Sequence, residues 1–268
     1  KKGAENAIID YSQKAKVNTY IFRLPNVFGK WCRPNYNSVV ATFCNNIANN
    51  LVINIHNPSI KVNLAYIDDV IEAILNVLFR DKEEKDTQSE FVDIPVTYTK
   101  TLQEIVDLLE SFKSMRSNLQ LPDYNDLFIK KLYTTYLSYL TESEFAYPLI
   151  KHEDNRGWLS ELIKSPSLGQ MFVSTTKPGI TRGNHYHHTK VEKFIVIQGK
   201  GMIRFRHIER DDVLEYEVLG EDIKVVDIPP GYTHSIENIG TTEMITLFWV
   251  NEQFDKQKPD TYMNEVII

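Results

Sequence analysis

The sequence predicts an α/β region followed by an all-β region. Before about residue 147, helix-period and strand-period patterns alternate, which is the signature of a mainly parallel sheet with packed helices. After it, short alternating runs are separated by Gly, Pro and Asn turn signals, and long helical stretches are absent. The expected division is therefore 1–146 and 147–268.

In the first region, Ala4 to Lys16 reads as a helix with Ala7, Ile8, Ile9 and Tyr11 on one side. Thr19 to Leu24 is β-branched and aromatic, a short buried strand that Pro25 ends. Ser38 to Asn49 is apolar at helical spacing through Val39, Val40, Phe43 and Ile47. Leu51 to Ile55 and Val62 to Ile67 read as strands. Asp68 and Asp69 then open an apolar helix, Val70 to Phe79, where acids in the first turn suit the helix dipole. Thr101 and Glu104 have capping-box spacing in front of another helix. Residues 125–140 complete the region as an amphipathic helix.

In the second region the turn signals are 155–157, 177–179, 198–201, 229–231 and 238–240. Their close spacing predicts a sandwich or barrel. No repeat or low-complexity linker interrupts the chain.

Composition narrows the function classes. Of 268 residues, 42% are hydrophobic and 25% charged, as in soluble globular proteins. The net charge of −6, with both signs interspersed, argues against nucleic-acid binding, which needs a basic face. No apolar run is long enough for a membrane-spanning helix, and the basic N-terminus lacks the apolar core of a signal peptide. Two cysteines, Cys32 and Cys44, exclude a disulfide framework and fit a cytoplasmic setting.

Five of the seven histidines fall from His185 to His234, and His185, His187, His188 and His234 flank the two turns of interest. His185 and His187 are two apart, so a strand would turn both imidazoles to one face. Glu192 follows, and His234 comes after a Pro-Pro-Gly turn. Three imidazoles and a carboxylate form a ligand set for a borderline transition metal with an open position.

These residues carry a resemblance. Gly179, His185, His187, Glu192 and Gly199 are spaced as in the first cupin motif. Pro229, Gly231, His234 and Asn238 match the second, with Ile223 standing where its leading glycine would fall. The resemblance implies a cupin β-barrel with His185, His187, Glu192 and His234 turned toward one metal. The segments Asp154 to Glu161 and Arg182 to Tyr186 are similar to those of nucleotide-sugar 3,5-epimerases, in which His185 matches the usual base. Those enzymes are metal-free and carry an acid Tyr near the last strand, where this chain reads Asn251 to Phe254. Their acid and base roles therefore do not transfer directly.

The first region resembles extended short-chain dehydrogenases. Arg23-Leu-Pro-Asn26-Val-Phe-Gly29 matches one of their segments, and Tyr66-Ile-Asp-Asp69-Val another. The resemblance implies a Rossmann-type reductase using NADPH, with Lys1 at the position of the catalytic lysine and its tyrosine partner four residues before the chain begins. Pro25 and Asn26 would then line the nicotinamide pocket. Lys30 and Arg33 would meet the phosphates of a UDP-sugar. No glycine-rich dinucleotide fingerprint occurs, so about 100 residues of the nucleotide-binding half are expected to be missing, and the coenzyme is not expected to bind this chain well.

The pairing of the two regions resembles a family of bifunctional enzymes of bacterial capsular polysaccharide synthesis. It implies C3 epimerisation of a UDP-4-keto-6-deoxy-N-acetylhexosamine in the cupin, then NADPH-dependent reduction of the C4 ketone. The product would be UDP-N-acetyl-6-deoxy-L-talosamine, on the way to UDP-N-acetyl-L-fucosamine. A homodimer is the family expectation. Zinc suits the ligands and has no redox chemistry to divert an enolate. Candidates for the acid and base are Tyr232, which is favoured, then His188 and Tyr186, with Arg182 for the sugar or phosphate. A non-catalytic cupin that binds nucleotide sugar or mediates dimerisation is the alternative. An iron dioxygenase is a third, since the same ligands suit Fe(II).

Overall fold

The structure is a computed structural model describing residues 1–80 and 89–268. It contains two compact units, Lys1–Ser114 with Pro122–Phe145, and Met115–Leu121 with Ala146–Ile268. Among the described residues no helix is long and apolar enough to cross a membrane.

The first unit runs α1 (Lys2–Ala15), β1 (Thr19–Phe22), β2 (Asn26–Phe28), α2 (Val39–Ala48), β3 (Lys61–Tyr66), α3 (Ile67–Leu78), β4 (Ser89–Val92) and β5 (Tyr98–Thr101). The helix α4 (Leu102–Asn118) follows, its last turn belonging to the second unit, and then α5 (Leu127–Leu137). Side chains set the helix starts. Ser38 Oγ accepts from the Ala41 N–H at 3.3 Å to begin α2. Asp126 accepts from the Phe128 and Ile129 N–H groups at 2.8 and 3.2 Å to begin α5. The expected capping box forms at α4. The Thr101 N–H donates to Glu104 Oε2 at 2.6 Å, and the Glu104 N–H to Thr101 Oγ1 at 3.1 Å.

The expected parallel sheet is only partly present. β1 pairs with β4 in parallel, and β2 with β3 in parallel, but β5 joins β3 antiparallel. Among the described residues these are two small sheets. Leu64, Ile105, Leu109, Phe128 and Leu132 are fully buried in this unit.

The strand expected over Leu51–Ile55 does not form. This stretch has no sheet partner and instead closes the end of α2. The Leu51 N–H donates to the Asn46 carbonyl, and Asn46 Nδ2 to the Val52 carbonyl at 3.2 Å. Leu51 and Val52 are exposed, so their β propensity meets no pleated neighbour.

The second unit is almost entirely strand: β6 (His152–Asp154), β7 (Gly157–Ser165), β8 (Gly169–Thr176), β9 (Thr181–Tyr186), β10 (Glu192–Gln198), β11 (Lys200–His207), β12 (Val213–Leu219), β13 (Val225–Ile228), β14 (Tyr232–Asn238), β15 (Met244–Val250) and β16 (Tyr262–Met263). Each turn signal read from the sequence falls at a junction of two of these strands, some of its residues lying in the strand ends. One sheet has the order β13-β10-β15-β8-β7-β6 and the other β12-β11-β14-β9-β16, antiparallel throughout. Phe194 and Val196 of the first sheet and Ile203, Phe205 and Ile236 of the second share one core cluster. No ladder joins the two sheets among the described residues, so hydrogen bonding does not close the expected barrel.

Candidate metal centre

The four ligand candidates come from three neighbouring stretches of the second unit. His185 lies near the end of β9, His187 just past it, Glu192 opens β10, and His234 sits in β14. His234 is the cross-strand partner of His185. Between His234 and Ser235 the register slips, with Ser235 opposite Gly183. Gly183 permits this. Its φ is +104°, and a Cβ there would lie 2.6 Å from the His234 carbonyl oxygen.

The ring centroids of His185 and His187 are 5.0 Å apart, those of His185 and His234 4.5 Å, and those of His187 and His234 5.3 Å. Glu192 Oε2 lies 3.2 Å from His234 Nε2 and 3.5 Å from His187 Nε2. One donor atom from each of the four residues lies within 4.8 Å of the others.

His187, Glu192 and His234 are buried, and His187 Nε2, His234 Nε2 and Glu192 Oε2 have no hydrogen-bond partner. Buried polar atoms ordinarily find partners, so three unpartnered donor atoms held this close together have the arrangement of a ligand shell. The donor set of imidazole nitrogens and a carboxylate oxygen fits a borderline divalent ion.

Electrostatics agree. Burial pushes the His185 ring down to about 4, and the neighbouring His234 and His187 rings act the same way against Glu192. This keeps the His185 ring neutral and its lone pair available. Burial works to raise the Glu192 carboxyl, but the facing His187 and His234 imidazoles outweigh it and hold it well below the usual carboxylate range.

Beside the cluster is a pocket of about 330 Å³, walled by Leu159, Phe172, Phe248, Val250 and Phe254. Glu161, Gln170, His185, His187, Lys190, Glu192, Glu252 and Thr261 supply its polar lining. Gln170 Nε2 donates to Glu161 Oε1 at 2.7 Å, and Lys164 Nζ is 2.6 Å from the other Glu161 oxygen. Lys190 is buried and its Nζ donates to the Pro259 carbonyl at 2.5 Å.

The expected acid and base residues lie elsewhere. Tyr232 lines a different pocket with Phe205, Leu214 and Tyr216, its ring 5.0 Å from His207. Tyr186 stacks on Tyr262 at 5.3 Å, and His188 packs edge-on against both. Tyr186 alternates away from His185 on β9, and His188, beyond the strand end, packs with Tyr186 and Tyr262. Arg182 is tied to β8, donating to Thr176 Oγ1 at 3.2 Å and to the Thr175 carbonyl at 3.0 Å. None of the four lines the pocket beside the ligand cluster.

Glu161, Lys190 and Glu252 line that pocket. The sequence holds a signal for each of the two glutamates and none for Lys190. Glu161 ends the epimerase-like segment that begins at Asp154. Glu252 sits in the Asn251 to Phe254 stretch, where that family carries its acid.

In the first unit, a pocket of about 480 Å³ brings together Pro25, Asn26, Lys30 and Arg33, with Trp31 and Tyr36. Gly29 sets its floor, since a Cβ there would meet Ile67 Cγ2 at 2.3 Å. Lys30 Nζ is 3.4 Å from Asp68, and the Arg33 guanidinium lies 5.7 Å from the Tyr36 ring centroid. Lys1 lines a separate pocket with Glu5, Arg23 and Phe91.

Two family models match the chain. Residues 1–92 match the NAD dependent epimerase/dehydratase family, and residues 152–262 the polysaccharide biosynthesis C-terminal domain. A UDP-2-acetamido-2,6-beta-L-arabino-hexul-4-ose reductase of Pseudomonas aeruginosa is 40% identical over 262 residues, covering 98% of this chain and 69% of the relative. The spore coat polysaccharide biosynthesis protein SpsL of Bacillus subtilis is 25% identical over 122 residues, 42% of this chain and 81% of that protein. The crystal structure of the capsular polysaccharide assembling protein CapF from Staphylococcus aureus superposes with a TM-score of 0.90 at 48% identity, covering 98% of this chain and 70% of that one. A CapF structure with the inhibitor 3-isopropenyl-tropolone gives 0.92 at 48% identity, covering 98% and 75%.

Proposed function

Because the chain belongs to the family of CapF and the UDP-2-acetamido-2,6-beta-L-arabino-hexul-4-ose reductase, we propose that it serves synthesis of a capsular polysaccharide precursor. In that synthesis a UDP-4-keto-6-deoxy-N-acetylhexosamine is epimerised by this chain and then reduced, a step for which this chain alone is not expected to suffice. The second unit, read as a metal-binding cupin, inverts C3. The first unit, read as part of an extended short-chain dehydrogenase, serves reduction of the C4 ketone, for which NADPH supplies the hydride. The product is UDP-N-acetyl-6-deoxy-L-talosamine. The observation that carries the reading is the cluster of four donor residues beside a pocket lined with carboxylates.

The C3 proton is acidic because it neighbours the C4 ketone, and its removal throws negative charge onto the ketone oxygen. His185, His187, Glu192 and His234 would hold a divalent ion, zinc in this proposal, which when bound would supply Lewis-acid stabilisation of that charge. Glu161 and Glu252 are the pocket's own carboxylates and take the proton-handling roles, with inversion requiring access to both faces of C3. Gln170 and Lys164 fix the Glu161 carboxylate in place. The aromatic and aliphatic walls give the pocket a mainly apolar lining, which screens each charge less than water does. Lys190 adds a buried positive charge beside the developing anion.

Asn26 faces the reductase pocket, and Lys30 and Arg33 supply cations for the diphosphate of the substrate.

The test is proton NMR of a UDP-4-keto-6-deoxy-N-acetylhexosamine in D2O with zinc-loaded protein and no NADPH. Loss of the C3 proton signal, abolished by a chelator, supports the metal-dependent epimerase. An unchanged signal rejects it in favour of a nucleotide-sugar-binding cupin.

A further inference from the structure

The C-terminal segment Pro259–Val266 runs along the candidate metal centre and is fastened at both ends. At its start, the Asp260 carboxylate accepts from three successive backbone N–H groups: His188 at 3.0 Å, Thr189 at 2.9 Å and Lys190 at 2.9 Å. The Thr189 hydroxyl adds a fourth donor at 3.1 Å. At its far end, the buried Arg206 guanidinium donates to Asn264 Oδ1 at 3.0 Å and to the Glu265 and Val266 carbonyls at 2.6 and 3.1 Å. Thr233 donates its hydroxyl to the Asn264 carbonyl, and Val266 is fully buried. Between the fastenings, β16 pairs Met263 with His185 and Tyr262 with Tyr186.

This strap touches the ligand set through its backbone. The Asp260 carbonyl oxygen lies 2.6 Å from His187 Nδ1. A carbonyl only accepts, so the contact requires the hydrogen on Nδ1. In the neutral ring the lone pair then falls on Nε2, the orphaned atom that faces Glu192. Asp260 holds this carbonyl in left-handed backbone at φ 39°, unusual for a residue other than glycine. Such a conformation persists only where its surroundings enforce it, and the carboxylate clamp on residues 188–190 does so.

We propose that Asp260 is a positioning residue for His187: its carboxylate docks the C-terminal strap on the 188–190 turn, and its carbonyl then fixes the His187 tautomer that turns Nε2 into the metal-facing ligand atom. The inference rests on the metal-centre reading for its consequence and on the strap geometry for its cause. Outer partners of this kind commonly set metal affinity by ten- to hundredfold. The nearest part of that partner is supplied 73 residues away in the chain.

The test uses the full chain with Asp260→Ala and Asp260→Asn. Zinc affinity is read by competition with a chromogenic chelator, and ligand geometry by the absorption spectrum of bound Co2+. The His187 tautomer is read in metal-free protein by long-range 15N–1H NMR of histidine-labelled samples. The expected result is a folded Asp260→Ala protein by circular dichroism, with zinc affinity lowered roughly ten- to hundredfold. Its Co2+ spectrum changes, and the His187 Nδ1–H signature seen in the wild type is lost. Asp260→Asn, which keeps one acceptor oxygen, falls between.

Wild-type affinity together with an unchanged tautomer in Asp260→Ala overturns the proposal, since a strap that merely adds stability leaves both unmoved. If Asp260→Ala does not fold, Asp260→Asn decides by the same two readouts. If the wild type binds no zinc or cobalt, the metal reading fails, and the tautomer alone decides the positioning role. Loss of Nδ1–H on substitution then upholds it, and retention rejects it.

Discussion

His234 stands directly across the β9–β14 ladder from His185, their rings 4.5 Å apart, and the next pair is out of register because Ser235 faces Gly183. The slip lets the two imidazoles meet from adjacent strands. Gly183→Ala puts a methyl 2.6 Å from the His234 carbonyl at a φ of +104°. The strands must part or the bulge must move. Loss of stability by about 1–3 kcal/mol is expected, from strain at a glycine-only backbone position. Zinc affinity falls with it. Urea unfolding of the metal-free protein and a zinc titration measure the two effects separately.

Metal removal has its own signature. A ligand bound by the native state alone stabilises it in proportion to the logarithm of its concentration over its Kd. Chelation is therefore expected to lower the Tm of the wild type, and zinc to restore it. His187→Ala and His234→Ala remove a ligand each, and both are expected to show a Tm insensitive to zinc. A zinc-dependent Tm in both variants would rule out the four-residue centre. Calorimetry with and without chelator reads this directly.

The pocket assigns different fates to carboxylates and tyrosine. Glu161→Gln and Glu252→Gln retain shape and remove a proton acceptor. For the one that acts as base, C3 exchange is expected to drop by roughly 10²- to 10⁴-fold, with zinc affinity unchanged. Tyr232→Phe is expected to exchange at the wild-type rate, because its ring lies against His207 in another pocket. Full exchange in both glutamate variants would remove these carboxylates from the chemistry.

What could be read from the sequence divides along the range of the interactions. The four-residue cluster was legible because His185, His187 and Glu192 are spaced by one strand end and one turn. His188 lies apart from it, against Tyr186 and Tyr262. The pocket was not legible, since Glu161, Gln170 and Glu252 meet only through the pairing of β7, β8 and β15. Nor was Asp260, whose partners lie some seventy residues earlier. Local helix signals held at α4, where Thr101 and Glu104 bond reciprocally. The Leu51–Ile55 strand failed because propensity alone cannot supply a neighbouring strand.

That capping box carries a pH prediction. The Thr101 N–H, then its side chain, hold the Glu104 carboxyl below its ordinary value, against a lesser push from burial. A depressed carboxyl contributes stability that is fully present above its unfolded pKa and is lost as pH falls through the lower folded value. Glu104→Gln is expected to lower the urea midpoint at neutral pH and to converge on the wild type in acid. Thr101→Ala, which removes the reciprocal acceptor, is expected to cost about 1 kcal/mol. Midpoints for both variants across the acid range check the sign.

In the first unit, Lys30 and Arg33 line one pocket with Asn26; Lys30 meets Tyr66 and Asp68, and Arg33 meets the Tyr36 ring. Lys30 reaches Asp68 only at 3.4 Å, with both side chains substantially exposed, and such pairs contribute little to stability. Arg33 lies over the exposed Tyr36 ring. A diphosphate entering this pocket would gain charge-assisted hydrogen bonds from both cations without breaking a structural ion pair. Lys30→Ala and Arg33→Ala are therefore expected to leave the Tm within about 1 °C while weakening UDP binding. A charge-assisted bond of about 1.5–3 kcal/mol predicts a loss of at least tenfold in each case. Titration calorimetry with UDP measures it. Unchanged affinity in both variants would make these cations solvated surface groups and move the nucleotide elsewhere.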